Sequence, residues 1–320
     1  MPLFDRVCVW LPAFLVLGTV LPSGGCAVLR PEPIHADHCN LPPSLLRSDE
    51  PQFERGKPRP VIDAFGWVWG IPTKLLIWNC KAENHNVSPE TEQVLANYLA
   101  ENQLDEIKVR VNQYRPLDDW KRLTRHKGVA WPWRYTFGTI SVLGETLIPG
   151  RLFGGDHYNP YTGTIHLYSD LASVAIHEGA HAKDFARRDF PGTYAAAYMI
   201  PFVPLWHERL ATNDALAYFE TYPNQKLRRE AYHVLYPAYG TYVGSSLSYL
   251  YPPWGTPIYY GGVLAGHAVG RWQTSNWGPD QTMALSAAEP SGGTAPQNSF
   301  EELTASEQQA THKHQVVDVP

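Results

Sequence analysis

The residues whose types and spacing could do chemistry together are His177, Glu178 and His181, in the run His177-Glu178-Gly179-Ala180-His181. On a helix, positions i and i+4 lie on one face, one turn apart. Two neutral imidazoles held that way can bind one Zn2+ ion at about 2.0–2.1 Å. A carboxylate beside them can then take a proton from water that the metal acidifies. Val174, Ala175, Ile176 and Ala180 flank or interrupt the run, so the helix that carries it should be largely buried. Two unpaired imidazoles inside a protein are costly, which favours a bound ion over a helix that merely happens to carry two His and a Glu.

An open zinc site needs a third protein ligand. Glu208 is the first choice, 27 residues after His181 on the next expected helix. Ala211, Thr212 and Ala215 share its face and would let that helix approach Gly179 and Ala180. Asp184 shares a face with His177 and His181, but seven residues of helix put it about 10.5 Å along the axis from His177. It fits better as an acceptor for Arg187 or Arg188. His207 is adjacent to Glu208, and the two cannot both point inward from one helix; His207 and Asp214 stay as alternatives.

The elements that must position these groups can be read from periodicity and turn chemistry. The turn signal Asn159-Pro160-Tyr161-Thr162-Gly163 precedes a strand at 164–168, and the period becomes helical from Ser169, with Ser169 or Asp170 as cap. A second helix spans roughly 205–220. Upstream, Ser88-Pro89-Glu90 opens a helix to about Asn102. Ile107, Val109 and Val111 alternate with Lys108 and Arg110 as in a strand; 117–126 reads as a short helix and 135–148 as one or two strands.

The order of strand (TIHLYSD), HEGAH helix and second helix opening HERLATNDA resembles the gluzincin clan of zinc metallopeptidases, nearest to the compact minigluzincin core. The resemblance covers about residues 156–220, a fifth of the chain. It implies a zinc peptidase fold, with Glu178 as general base and acid and Glu208 as third ligand. It also implies that strand 164–168 is the edge along which a peptide would lie. Many gluzincins carry an Asp one turn after the ligand Glu to orient a zinc-bound His. Here that position is Thr212, which leaves Asn213 or Asp214 for the role. Tyr158, His166, Tyr198 and His207 are candidates for the donor that faces the oxyanion.

The rest of the chain bounds where this chemistry takes place. Residues 7–22 form an apolar run after Arg6, the layout of a secretory leader. Ser23-Gly24-Gly25-Cys26 resembles a bacterial lipobox with Ser23 in place of the usual aliphatic residue, which implies acylation at Cys26 and membrane association through it. Export would let Cys39 and Cys80 pair. Residues 26–60 are rich in proline and read as a linker or wrapping arm, 61–274 as the catalytic domain, and 275–320 as a disordered polar tail. From Ala231 to Gly270 there is no Asp, Glu, Lys or Arg. Gly240-x-x-x-Gly244 and Gly262-x-x-x-Gly266-x-x-x-Gly270 in that stretch are spaced for close helix packing, and each half is too short to span a bilayer. A buried helical hairpin is the favoured reading, a surface dipping into membrane the other, with His267 as a hydrogen-bonded core residue.

The net charge of −5 argues against nucleic acid as a partner. The elements read along the chain and the resemblance together imply an α+β fold: a zincin-like core, with a small mixed sheet packed on the motif helix, a second ligand-bearing helix and the C-terminal hairpin. The expected function is an exported zinc metallopeptidase acting on peptides or proteins. The competing class is a non-catalytic envelope lipoprotein that keeps zinc for structure or uses the fold for interaction.

Overall fold

Among the described residues, four short strands scattered along the chain meet in one mixed sheet. In the computed structural model, which describes residues 29–35, 39, 41–43 and 45–278, β1 (Phe53–Arg55) runs parallel to β2 (Lys108–Val111). β2 in turn runs parallel to β4 (Thr164–Leu167), and β3 (His157–Asn159) pairs antiparallel with β4. The order is β1-β2-β4-β3. The strand at 164–168 is therefore interior, which corrects the expectation of an edge. Among the described residues β3 is the edge on that side, because the short turn after Asn159 folds it back onto β4.

The helices are α1 (Pro60–Trp69), α2 (Ile71–Ile77), α3 (Pro89–Glu101), α4 (Pro116–Arg125), α5 (Thr139–Leu147), α6 (Ala172–Ala186), α7 (Val203–Thr221), α8 (Gln225–Leu250) and α9 (Gly255–Gln273), with shorter turns between them. Residues 135–147 are helical, a π-turn at Arg134–Gly138 running into α5, and not the strands expected over 135–148. The inward positions explain why: the buried Gly138 and Val142 are four apart, as a helix requires. Ser88 caps α3 as read, its Oγ accepting from the Thr91 amide at 3.3 Å. Neither Ser169 nor Asp170 caps α6, whose N-cap is Leu171. Asp170 instead accepts from the amide and hydroxyl of Ser88 and from Thr91 Oγ1, tying the start of α3 to the loop before α6.

One apolar core joins the sheet to α3, α6, α7 and α8. It includes Ile165, Leu167, Leu95, Tyr98, Ala175, Ile176, Ala180, Ala211, Ala215 and Phe219. The opposite sheet face is covered as well. Lys108 and Arg110, which alternate with the apolar residues of β2, are fully buried. Their charges are matched there: Lys108 Nζ lies 3.1 Å from Glu54, and Arg110 Nε donates to Asp119 at 3.0 Å.

The proline-rich arm wraps the body. Arg30 N donates to Asn213 Oδ1 and Glu32 N to the Asn213 carbonyl, and β1 itself lies within the stretch read as linker. Cys39 and Cys80, which export would let pair, are both free and exposed; hydrogen bonds to α7 fix the arm. The leader at 1–25, Cys26 and the tail after Gly278 lie outside the described residues.

The uncharged stretch forms the hairpin of α8 and α9. Its glycines sit where backbone meets backbone: a Cβ on Gly240 would come within 2.4 Å of Gly262 O, and one on Gly266 within 2.4 Å of Tyr236 O. His267 is a core residue as expected, its Nε2 2.8 Å from Leu76 O and its ring stacked on Trp78. The hairpin is buried on its inner side only. Tyr260, Leu264 and Trp272 of α9 are 53%, 58% and 71% exposed. No helix among the described residues is long and apolar enough to cross a membrane.

Gly266→Leu should therefore cost at least about 2 kcal/mol in urea unfolding, since the helices cannot separate without losing their contact. Gly261→Ala on the same helix, where a Cβ meets nothing within 4 Å, should be neutral or slightly stabilising. Equal stability of the two variants would contradict the close-packed hairpin.

Candidate metal centre

The chain leaves β4, passes through Tyr168–Leu171 and enters α6, which carries His177 and His181 into the interior. Helix α7 lies against α6 and presents Glu208, 3% exposed. The small residues Ala180, Ala211 and Ala215, all fully buried, permit that approach. Gly179 serves a different neighbour: a Cβ there would lie 2.9 Å from the Tyr98 ring, so it admits α3 and not α7.

Three ligand atoms converge. His177 Nε2 lies 3.0 Å from Glu208 Oε2 and 3.2 Å from His181 Nε2, and His181 Nε2 lies 3.5 Å from Glu208 Oε1. Donors at about 2.0–2.1 Å around a tetrahedral ion stand about 3.3 Å apart, so this triangle matches one face of such a tetrahedron. The donor set of two imidazoles and one carboxylate is also the chemistry a divalent transition metal takes. The residues present therefore fit a bound metal ion.

The charges at the site are strongly coupled. Burial opposes a charge on Glu208, yet His181 and His177 outweigh it and hold the carboxyl well below its usual range. Burial likewise opposes a charge on His181, but the Glu208 carboxylate lifts the imidazole to about 9. Glu178 is 8% exposed, and burial pushes its carboxyl up against the pull of His177 and His181.

Neighbouring side chains orient the ligands. Tyr198 OH donates to Glu208 Oε1. Thr212 Oγ1 lies 3.4 Å from His177 Nδ1, so the residue one turn after Glu208 does reach the imidazole despite not being Asp. Asn213 and Asp214, the expected substitutes, are engaged elsewhere. Asn213 holds the N-terminal arm. Asp214 accepts from Lys183 Nζ at 2.8 Å and from Tyr98 OH at 2.5 Å, joining α3, α6 and α7 behind the site. Asp184 pairs with Arg188 and Arg187, as its position along the helix suggested. His207 turns away from the ligands and stacks on Tyr194 at 4.0 Å. None of Asp184, His207 and Asp214 belongs to the ligand cluster.

A cavity of about 290 Å³ opens over the three ligands and Glu178. Tyr158 and Tyr198 line it, while His166 and His207 do not. Asp156, His157 and Tyr242 line it too and were not singled out from sequence. Tyr242 sits in the uncharged stretch, where no spacing linked it to the motif. Asp156 is a loop residue whose carboxylate accepts from the Tyr168 and Ser169 amides, at 2.6 and 3.0 Å. Comparison with family models, curated proteins and solved structures returns no match for the chain.

Tyr198→Phe removes the donor on Glu208 and leaves the three ligands in place. Apparent metal affinity, measured by chelator competition, should fall about 10- to 100-fold. Unchanged affinity would show that Tyr198 does not orient the ligand.

Proposed function

We propose that the chain is a zinc-dependent peptidase with a zincin-like catalytic core, in which His177, His181 and Glu208 hold the metal and Glu178 moves the proton. The observation that carries this reading is the convergence of the three ligand atoms under a cavity that Glu178 also lines. Bound there, zinc supplies Lewis acidity, lowering the pKa of water toward about 7 and polarising a carbonyl.

The protein's own groups do the rest. Glu178 accepts the proton of the attacking water and delivers it to the leaving amine. Its burial suits the first half of that task, because a carboxyl pushed upward binds a proton more readily. A glutamate next to the first imidazole has no use in a purely structural site, which favours catalysis over the non-catalytic alternative. Tyr198 is spent on Glu208 and acts as a positioning residue. Tyr242 is engaged with Glu208 and Tyr198 as well, which leaves Tyr158 on the cavity wall as the hydroxyl that can face the carbonyl oxygen.

A peptide substrate would add to the edge strand β3, whose His157 and Tyr158 form part of the cavity wall. With residues 1–26 read as leader and acylation signal, the activity belongs at the cell envelope, anchored through Cys26.

Glu178→Gln is the informative variant, because it keeps the ligands and the shape. It should retain stoichiometric zinc and lose about 10²- to 10⁴-fold in cleavage of a peptide library. Cleavage that survives the substitution, or a zinc-loaded wild type that cuts no peptide, would overturn the reading.

A further inference from the structure

A second group of ligating side chains lies outside the first and shares no residue with it. Glu145 comes from α5, His157 from β3 and His166 from β4. His157 and His166 are direct partners across the antiparallel register, and their rings stack 4.7 Å apart at 11°. His157 Nε2 lies 3.0 Å from Glu145 Oε1, and His166 Nε2 lies 4.0 Å from Glu145 Oε2. One ligand atom from each of the three falls within 4.8 Å of the others.

Hydrogen bonds fix two of the three members of this group. His157 Nδ1 is 2.9 Å from the Gly155 carbonyl, which can only accept, so that nitrogen carries a proton. In the neutral ring the lone pair then falls on Nε2, facing the carboxylate. Such an outer hydrogen bond to a backbone carbonyl is the usual support of a ligating histidine. Asn159 Nδ2 donates to Glu145 Oε1 at 2.7 Å and also reaches Ser141 Oγ at 3.1 Å, fixing the carboxylate.

Among the described residues, two atoms of the group have no hydrogen-bond partner. His166 is only 5% exposed, and its Nε2 is buried without a hydrogen bond; so is Glu145 Oε2. Leaving such atoms unsatisfied is expensive. A proton shared between His157 and Glu145 accounts for Oε1 alone. It leaves Oε2 and the His166 nitrogen facing each other at 4.0 Å, too far for a hydrogen bond.

We infer that Glu145, His157 and His166 form a second binding site for a divalent transition-metal ion, distinct from the one on α6. Two imidazoles and a carboxylate suit zinc or a neighbouring first-row metal. Closing the 4.0 Å gap to about 3.3 Å, with the stacked rings tilting out of parallel so that both Nε2 lone pairs point at one ion, completes a tetrahedral face. The ion would clamp α5 to the edge strand β3, and so fix the strand that carries His157 and Tyr158 to the cavity wall. The inference does not depend on the peptidase reading.

The test counts metal on the full chain. Protein stripped with chelator is dialysed against zinc and bound metal is measured by plasma mass spectrometry. Wild type should hold two equivalents, and the His177→Ala/His181→Ala double variant should keep one. Glu145→Gln keeps shape and folding competence, and should weaken one equivalent at least tenfold while leaving the other intact. His157→Ala/His166→Ala should lose that same equivalent. If the α6 site binds no zinc, wild type and the His177→Ala/His181→Ala variant hold one equivalent each and Glu145→Gln still weakens it, which supports the second site. A single equivalent in wild type that the His177→Ala/His181→Ala pair abolishes would overturn the second site. So would a second equivalent untouched by Glu145→Gln and by the His157→Ala/His166→Ala pair.

Discussion

Two imidazoles and a carboxylate brought within 3.0–3.5 Å of one another in the interior are the constraint that organises this molecule. Burying such a group is unfavourable unless each polar atom is matched. The surrounding helices are arranged to match them. Tyr198 reaches Glu208, Thr212 reaches His177, and the Asp214–Lys183–Tyr98 cluster locks α3, α6 and α7 at the spacing the ligands need. The alanines at 180, 211 and 215 belong to the same requirement, since larger side chains would hold α7 away from α6. The sheet beneath supplies the platform: β4 runs directly into the loop that starts α6.

The hairpin of α8 and α9 closes this arrangement from the C-terminal side and contributes Tyr242 to the cavity wall. Close glycine contacts hold it together in place of interdigitating side chains. That explains how a stretch without a single charged residue can pack tightly along one side and still present Tyr260 and Leu264 outward on the other.

The site was legible in sequence where spacing alone carries it. The i, i+4 histidines and the intervening Glu178 need only a helix, and Glu208 needs only the next helix to be small-faced. The alternation at 107–111 was legible as a strand. It could not reveal that Lys108 and Arg110 are buried, because their partners Glu54 and Asp119 come from distant segments. The interior placement of β4 and the helix at 139–147 were misread for related reasons. Strand order is a tertiary property, and β-branched residues at helical spacing look like a strand in a short window. Glu145 was invisible as a ligand candidate because the segment that carries it was read as strand, and because its partners meet it only through the β3–β4 register.

We propose that His177, His181 and Glu208 hold a metal with one coordination position left for water or substrate. Diffraction from crystals of the zinc-loaded protein, collected across the zinc absorption edge, tests it most directly. An anomalous peak should lie about 2.0–2.2 Å from His177 Nε2, His181 Nε2 and a Glu208 oxygen, with no fourth protein ligand. A peak elsewhere with none between these side chains, or a fourth side chain closing the coordination sphere, would contradict it.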